Sequence, residues 1–212
     1  MLWVDNNRPS RLEDLSYHDD ITARLRSLAS HPESMPHLFF YGPNGSGKKT
    51  RINTLLRALY GPGAERLKLD KRTFKTPTNR TVEINMITSN YHIELSPGDA
   101  GLNDRFVVQD VIKEIASNKN IVTAASEGGA SSSSSKPSTA PDFKTVVLVE
   151  VDRLSRQAQA ALRRTMEKYA STCRLILCCN NQSNVIEPVR SRCLGIRVAA
   201  PTEDLVSCRE DI

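Results

Sequence analysis

Leu38-Phe39-Phe40-Tyr41-Gly42-Pro43-Asn44-Gly45-Ser46-Gly47-Lys48-Lys49-Thr50 is the stretch on which the fold turns. Leu38 to Tyr41 is a short apolar run ended by Gly42 and Pro43, the pattern of a buried strand that delivers a loop. Ile52, Leu55, Leu56 and Leu59 follow at i, i+3, i+4 and i+7, which predicts a helix stopped by Gly61-Pro62-Gly63. Between strand and helix, Gly42 to Lys48 has the G-x-x-x-x-G-K spacing of a P-loop. Gly42, Pro43, Asn44, Gly45, Ser46, Gly47 and Lys48 are therefore candidate phosphate-binding residues. The glycines let backbone N–H groups curl around a phosphate at a helix N-terminus, and the Lys48 ammonium neutralises the β- and γ-phosphates. The ligand this implies is ATP or ADP. The bland alternative, a chance glycine-rich turn, does not explain the strand before it and the helix after it.

Two departures concern the metal. After the lysine, a P-loop normally has a Ser or Thr whose hydroxyl ligates Mg²⁺; Lys49 stands there, with Thr50 one residue later. One residue turns a side chain by about 100° around a helix, so Thr50 is not expected to reach the ion, although both residues belong to the candidate nucleotide site. The second P-loop element should be an apolar strand ending in an Asp for Mg²⁺ and a Glu that polarises the attacking water. The strand reads Val146-Val147-Leu148-Val149-Glu150-Val151-Asp152, so that, aligned on Glu150, the Asp position is Val149. Glu150 is the candidate general base, and Asp152 the residue able to recruit metal from another angle. The expectation is a site that binds ATP or ADP, has a depleted ligand set for Mg²⁺ and hydrolyses slowly.

Outward from this stretch, Val82, Ile84 and Met86 alternate with polar neighbours, and Ile93 with Leu95 repeats the pattern, which predicts a strand pair. A helix is expected over roughly Asp104 to Ser117, a strand over Thr145 to Val149, and a helix capped by Ser155 running to Tyr169. Strands are expected at Leu175 to Cys179 and Leu194 to Val198. Residues 124–141 are rich in Ser, Gly, Ala and Pro, with five consecutive serines, and bury too little apolar surface to offset ordering entropy. They read as a disordered insertion. Strands alternating with helices imply an α/β three-layer sandwich around an open, mostly parallel sheet, with ligand at the carboxyl ends of the strands.

The chain has 212 residues, enough for one substantial core, and carries 29 basic against 24 acidic residues, a net +5 compatible with nucleic acid without selecting it. No apolar run reaches the ~18 residues of a membrane span, and Met1 to Arg8 holds no signal-peptide core, so an intracellular protein with no membrane partner is expected. Cys173, Cys178, Cys179, Cys193 and Cys208 are odd in number and form no CxxC pair, so they read as small buried hydrophobes. His92 and Glu94 imitate half of a zinc deaminase motif whose P-C-x-x-C half is missing, and no protein-bound transition metal is predicted.

Ala161-Leu162-Arg163-Arg164-Thr165-Met166-Glu167, Cys178-Cys179-Asn180 and Ser191-Arg192-Cys193 then follow in the order and rough spacing of replication factor C small subunits. The chain resembles this family of AAA+ ATPases over nearly its whole length. Trp3-Val4-Asp5-Asn6-Asn7-Arg8-Pro9 resembles the family's adenine-side box, with Asn6-Asn7 replacing the usual Lys-Tyr, which adds Val4, Arg8 and Pro9 to the nucleotide site. The Gly-Lys-Lys-Thr and Glu-Val-Asp variants, with Ser89 to His92, resemble the small subunit whose own site is atypical.

The resemblance implies a P-loop (AAA+) domain over residues 1–200 and the start of a helical lid over 201–212, ending before the lid's sensor arginine and the collar. It implies that Asn180 is the sensor of the attacking water or γ-phosphate. Arg192 becomes an arginine finger reaching a neighbouring subunit's nucleotide, where it spreads positive charge over the transferring phosphoryl group. The implied partners are the other subunits of a hetero-pentamer, the sliding clamp (proliferating cell nuclear antigen) and primer–template DNA in the nucleus. Arg163 and Arg164 would relay nucleotide state, and Arg105 and Lys113 are the candidate DNA contacts, against the alternative of a solvated charged face. Three readings stay open: a nucleotide-gated subunit donating Arg192, an ATPase active in its own site, and a P-loop kinase of a small substrate.

Overall fold

The computed structural model describes residues 7–75, 81–117, 141 and 143–202. Seven strands form one sheet in the order β2-β3-β4-β5-β6-β1-β7, with β1 His37–Tyr41, β2 Lys68–Lys75, β3 Thr81–Thr88, β4 His92–Leu95, β5 Lys144–Leu148, β6 Cys173–Cys179 and β7 Cys193–Arg197. β4, β5, β6, β1 and β7 run parallel, and β2 and β3 join antiparallel at the β4 edge. The helices are α1 Asp19–Ser30, α2 Lys48–Tyr60, α3 Asp104–Ser117, α4 Arg156–Lys168 and the single turn α5 Glu187–Arg190.

Strand period two divides the core between the two faces. In β6, Cys173, Leu175, Leu177 and Cys179 join α3, α4 and α5, where Val108, Ile112, Leu162 and Val189 are fully buried. Ile176 and Cys178 turn to the other face and meet Leu25 of α1 with Ile52, Leu55 and Leu59 of α2. β1 divides likewise, with Phe39 on the first face and Leu38 and Phe40 on the second. A near-continuous apolar strand is what a sheet covered on both sides requires, and the three-layer α/β expectation holds.

The expected elements lie within two residues of the observed ones. Ser155 caps α4 by accepting the Ala158 N–H at 3.1 Å, and Asp104, at the head of α3, accepts both the N–H and the hydroxyl of Ser155. Three elements were not anticipated: β2, α1 and the single turn α5. β2 reads Lys-Leu-Asp-Lys-Arg-Thr-Phe-Lys, with Leu69 70% exposed, yet pairs with β3 over its entire length. Its charges suit an edge strand and hide it from a search for apolar alternation. α1 lacks a start signal because its N-cap is His18 in the left-handed region (φ 59°), without a side-chain cap.

Cys173, Cys178 and Cys179 are buried free thiols and Cys193 is half-buried. Burial pushes Cys178 up to about 11 and Cys179 to about 12, so both stay neutral, as hydrophobes should. No helix among the described residues is long and apolar enough to cross a membrane. Cys208, the Ser-rich insertion apart from Pro141, and the lid start apart from its first two residues lie outside the described residues.

Candidate nucleotide site

The chain leaves β1 and β6 toward opposite faces of the sheet, into α2 on one side and α5 on the other, which opens a crevice at their carboxyl ends. Tyr41 and Cys179 are register partners, so Gly42 and Asn180 leave adjacent strands side by side. The P-loop and Asn180 thus meet in this crevice although Gly42 and Asn180 are separated by 138 positions of sequence.

The loop is held from beneath. Gly45 and Gly47 have φ of 80° and 76°, and Gly47 forms the N-cap of α2, so the first turn opens toward the loop. A Cβ on Gly42 would lie 1.9 Å from the Val198 carbonyl oxygen, so this position must be glycine. Lys48 is buried, and its ammonium donates to the carbonyls of Gly42 at 2.8 Å and Pro43 at 2.7 Å. The Ser46 hydroxyl also donates to the Pro43 carbonyl, at 2.9 Å. Pro43, Asn44 and Gly45 face solvent. A Gly-rich loop at a helix N-terminus with a lysine at its base is an anion cradle of phosphate size.

Tyr17 completes the cradle, and nothing in its local sequence announces it. Its hydroxyl donates to the Ser46 carbonyl at 2.9 Å, and the Arg51 guanidinium stacks over its ring at 4.7 Å and donates to its carbonyl at 2.5 Å. Arg51 is only 1% exposed, and burial lowers its pKa. Its aligned dipole and ring partners offset part of that burial.

On the metal side the donors are missing. Lys49 pairs with Glu94 of β4 at 2.5 Å. Val149 packs against the apolar cluster beneath α2 and offers no side-chain oxygen. Thr50 is half-buried one position on. Asp152 Oδ2 accepts the N–H groups of Asn180 at 3.3 Å and Asn181 at 3.1 Å, fixing the turn that carries the asparagine, while its Oδ1 is buried without a hydrogen-bond partner. Glu150 stands in the left-handed region (φ 55°, ψ 46°), a conformation costly for a non-glycine residue, and accepts from Arg153 at 2.6 Å. These residues do not fit a magnesium ion bound in the usual P-loop manner.

Arg192 is elsewhere. Cys193 is register partner to His37, five residues before Gly42, so Arg192, which precedes it, lies at the amino ends of the parallel strands, at least ~16 Å along the sheet from Gly42 at ~3.3 Å per residue. Its guanidinium binds Glu167 of α4 through Nη2 at 2.5 Å and Nε at 2.8 Å, and donates to the Pro188 carbonyl at 2.6 Å. The Arg192 guanidinium holds the Glu167 carboxyl below its ordinary range, and Arg163 approaches the same oxygen at 3.5 Å.

Val4 lies outside the described residues. Arg8 and Pro9 line a cavity of ≈ 230 Å³ with Asn53, Leu56 and His92 along the flank of α2, in whose wall the loop residues take no part. Arg105 and Arg164 share a groove between α3 and α4, whereas Lys113 lines a separate concavity with Asp110, Glu114 and Arg72. The two DNA candidates, both on α3, thus line different depressions.

A parallel sheet that ends in a P-loop over a topological crevice defines a P-loop nucleotide-binding domain. A solved structure with this architecture is the RuvB Holliday junction branch migration motor of Thermotoga maritima, at TM-score 0.51 and 12% identity over 91% of this chain and 48% of that one. Residues 17–202 match the family model described as DNA polymerase III, delta subunit, and the chain belongs to that family. It is 49% identical over 99% of its length to replication factor C subunit 3 of Mus musculus and 50% identical over 96% to that of Homo sapiens. To replication factor C subunit 5 of Saccharomyces cerevisiae it is 45% identical over 97%. These matches cover 56%, 53% and 56% of the relatives, so the chain spans little more than half of their length.

Proposed function

We propose that this chain is the nucleotide-binding part of a replication factor C subunit, helping a multi-subunit loader place the sliding clamp on primer–template DNA in the nucleus during replication and repair. Its P-loop binds ATP or ADP through residues 42–50, while hydrolysis in its own site is slow or absent. Its partners are the other subunits of a hetero-pentamer, the clamp and DNA, the last through backbone phosphates. Residues 1–200 act as the nucleotide-binding domain and 201–212 begin the lid.

The observation that carries this reading is the separation of Arg192 from its own P-loop. An arginine side chain extends about half of those ~16 Å, so Arg192 cannot serve its own nucleotide and is free to serve a neighbour's. The metal-side substitutions at Lys49 and Val149 favour the same division of labour over an enzyme working alone. Nothing at the site favours a small-molecule kinase.

The test is Arg192→Ala in a chain of its relatives' length, assembled with its partner subunits. ADP affinity here should be unchanged. Clamp- and DNA-stimulated hydrolysis at the adjacent site should fall, on the order of 10³ for a finger acting on one nucleotide. Normal assembly with wild-type hydrolysis at that site would show Arg192 to be surface charge.

A further inference from the structure

The residue that displaces the metal ligand is not idle. Lys49 follows the P-loop lysine in the first turn of α2, where Ser or Thr would point its hydroxyl at the ion. It extends instead to Glu94, whose side chain is only 11% exposed, and the two meet at 2.5 Å. Glu94 is register partner to Val147, whose side chain lies on the α2 face, so the carboxylate projects toward the helix and not into the opposite core. Cys178 lies within electrostatic reach of Lys48, Lys49, Glu94 and Asp152 together, so two ammoniums and two carboxylates surround the floor of the crevice. Asp152 already spends one oxygen on the Asn180 turn. The other oxygen of Asp152 is buried without a hydrogen-bond partner, whereas Glu94, on the helix side of the sheet, is held by Lys49.

We propose that the Lys49–Glu94 pair excludes Mg²⁺ from this chain's own site and makes it a receptor for metal-free nucleoside diphosphate, a reading that rests on the nucleotide-binding proposal above. A divalent ion would face a second ammonium at the helix N-terminus, where the backbone already carries partial positive charge. It would also have to break an ion pair to gain a carboxylate, and strip its own tightly held water to use it. The nucleotide anion needs neither step: Lys48, the loop N–H groups and the helix end suffice to hold its phosphates, and Lys49 adds positive field without leaving Glu94. The pair thus turns a catalytic position into a retention device, in which the bound anion lacks the ion that would assist phosphoryl transfer.

The experiment measures ADP affinity calorimetrically on the 212-residue chain, in buffer with Mg²⁺ and in buffer with EDTA. The unmodified chain should bind equally in both, within about two-fold. Lys49→Thr restores a hydroxyl and releases Glu94, so ADP should bind about ten-fold tighter with Mg²⁺ than with EDTA. Adding Glu94→Gln to Lys49→Thr should remove most of that preference. A ten-fold loss of affinity in EDTA for the unmodified chain overturns the proposal even if Lys49→Thr fails to fold. So does a Lys49→Thr chain that melts cooperatively and ignores Mg²⁺. Cooperative melting with no ADP binding in either buffer would remove the nucleotide reading as well, whereas metal-dependent binding removes only this inference.

Discussion

The phosphate cradle and the Arg192 corner are both arrangements of basic side chains, and they are built in opposite ways. In the cradle, Lys48 is buried and bonded to two backbone carbonyls, Gly42 is pressed against the Val198 carbonyl, and Tyr17 and Arg51 brace the loop from below. At the corner, Arg192, Arg163 and Glu167 meet at the surface, with Glu167 half-exposed. Ion pairs of that kind add little stability and are readily exchanged. Lys48 is fixed by burial, while Arg192 is parked on a half-exposed carboxylate it can leave. Glu167 is that carboxylate: it aims the guanidinium without committing it.

That contrast can be broken at several points. Gly42→Ala should have the largest effect, about 4 kcal/mol or more by denaturant unfolding, because the new Cβ meets backbone at 1.9 Å where neither side can yield and φ is +154°. A loss below about 1 kcal/mol would mean that the loop is looser than its packing implies. Lys48→Ala should weaken ADP binding on the order of 100-fold, about 2.7 kcal/mol, and lower stability by about 1–3 kcal/mol because the Gly42 and Pro43 carbonyls lose their buried donor. Unchanged affinity would detach the cradle from phosphate altogether.

Asp152→Ala should cost about 1–3 kcal/mol, since the Asn180 and Asn181 N–H groups lose their acceptor. A neutral result would leave the Asn180 turn supported by something other than Asp152. The smallest effect is expected of Glu167→Gln, which should leave the melting temperature unchanged because the pair is at the surface and the Pro188 carbonyl still holds Arg192. A clear drop would turn the corner from a releasable contact into a structural one and remove the contrast with the cradle.

Much of the fold was legible in the residues, for local reasons. The P-loop spacing, the apolar strand before it and the i, i+3, i+4, i+7 pattern after it all reflect interactions within about twenty residues. The strands β5 and β6, buried on both faces, announced themselves by apolar continuity. β2 did not, because an edge strand has a solvated side and can afford Lys and Asp where a central strand cannot. α1 was missed because its N-cap conformation at His18 is set by the fold around it, including a contact of its ring with the Ala199 carbonyl at 3.3 Å.

At the site, the sequence by itself determined which groups are present: the cradle of Gly42 to Lys48, and the replacement of metal ligands by Lys49 and Val149. Their partners were decided only by tertiary structure. Tyr17 beneath the loop, Glu94 on Lys49, Asp152 on Asn180 and Glu167 on Arg192 are separated by 29, 45, 28 and 25 positions respectively. No periodicity links residues so far apart, since each pair is set by strand order and helix placement. The distance from Arg192 to its own P-loop is likewise invisible in the chain's linear order. It arises because β7 runs parallel to β1, so the residue that begins β7 and the loop that ends β1 fall at opposite ends of one sheet.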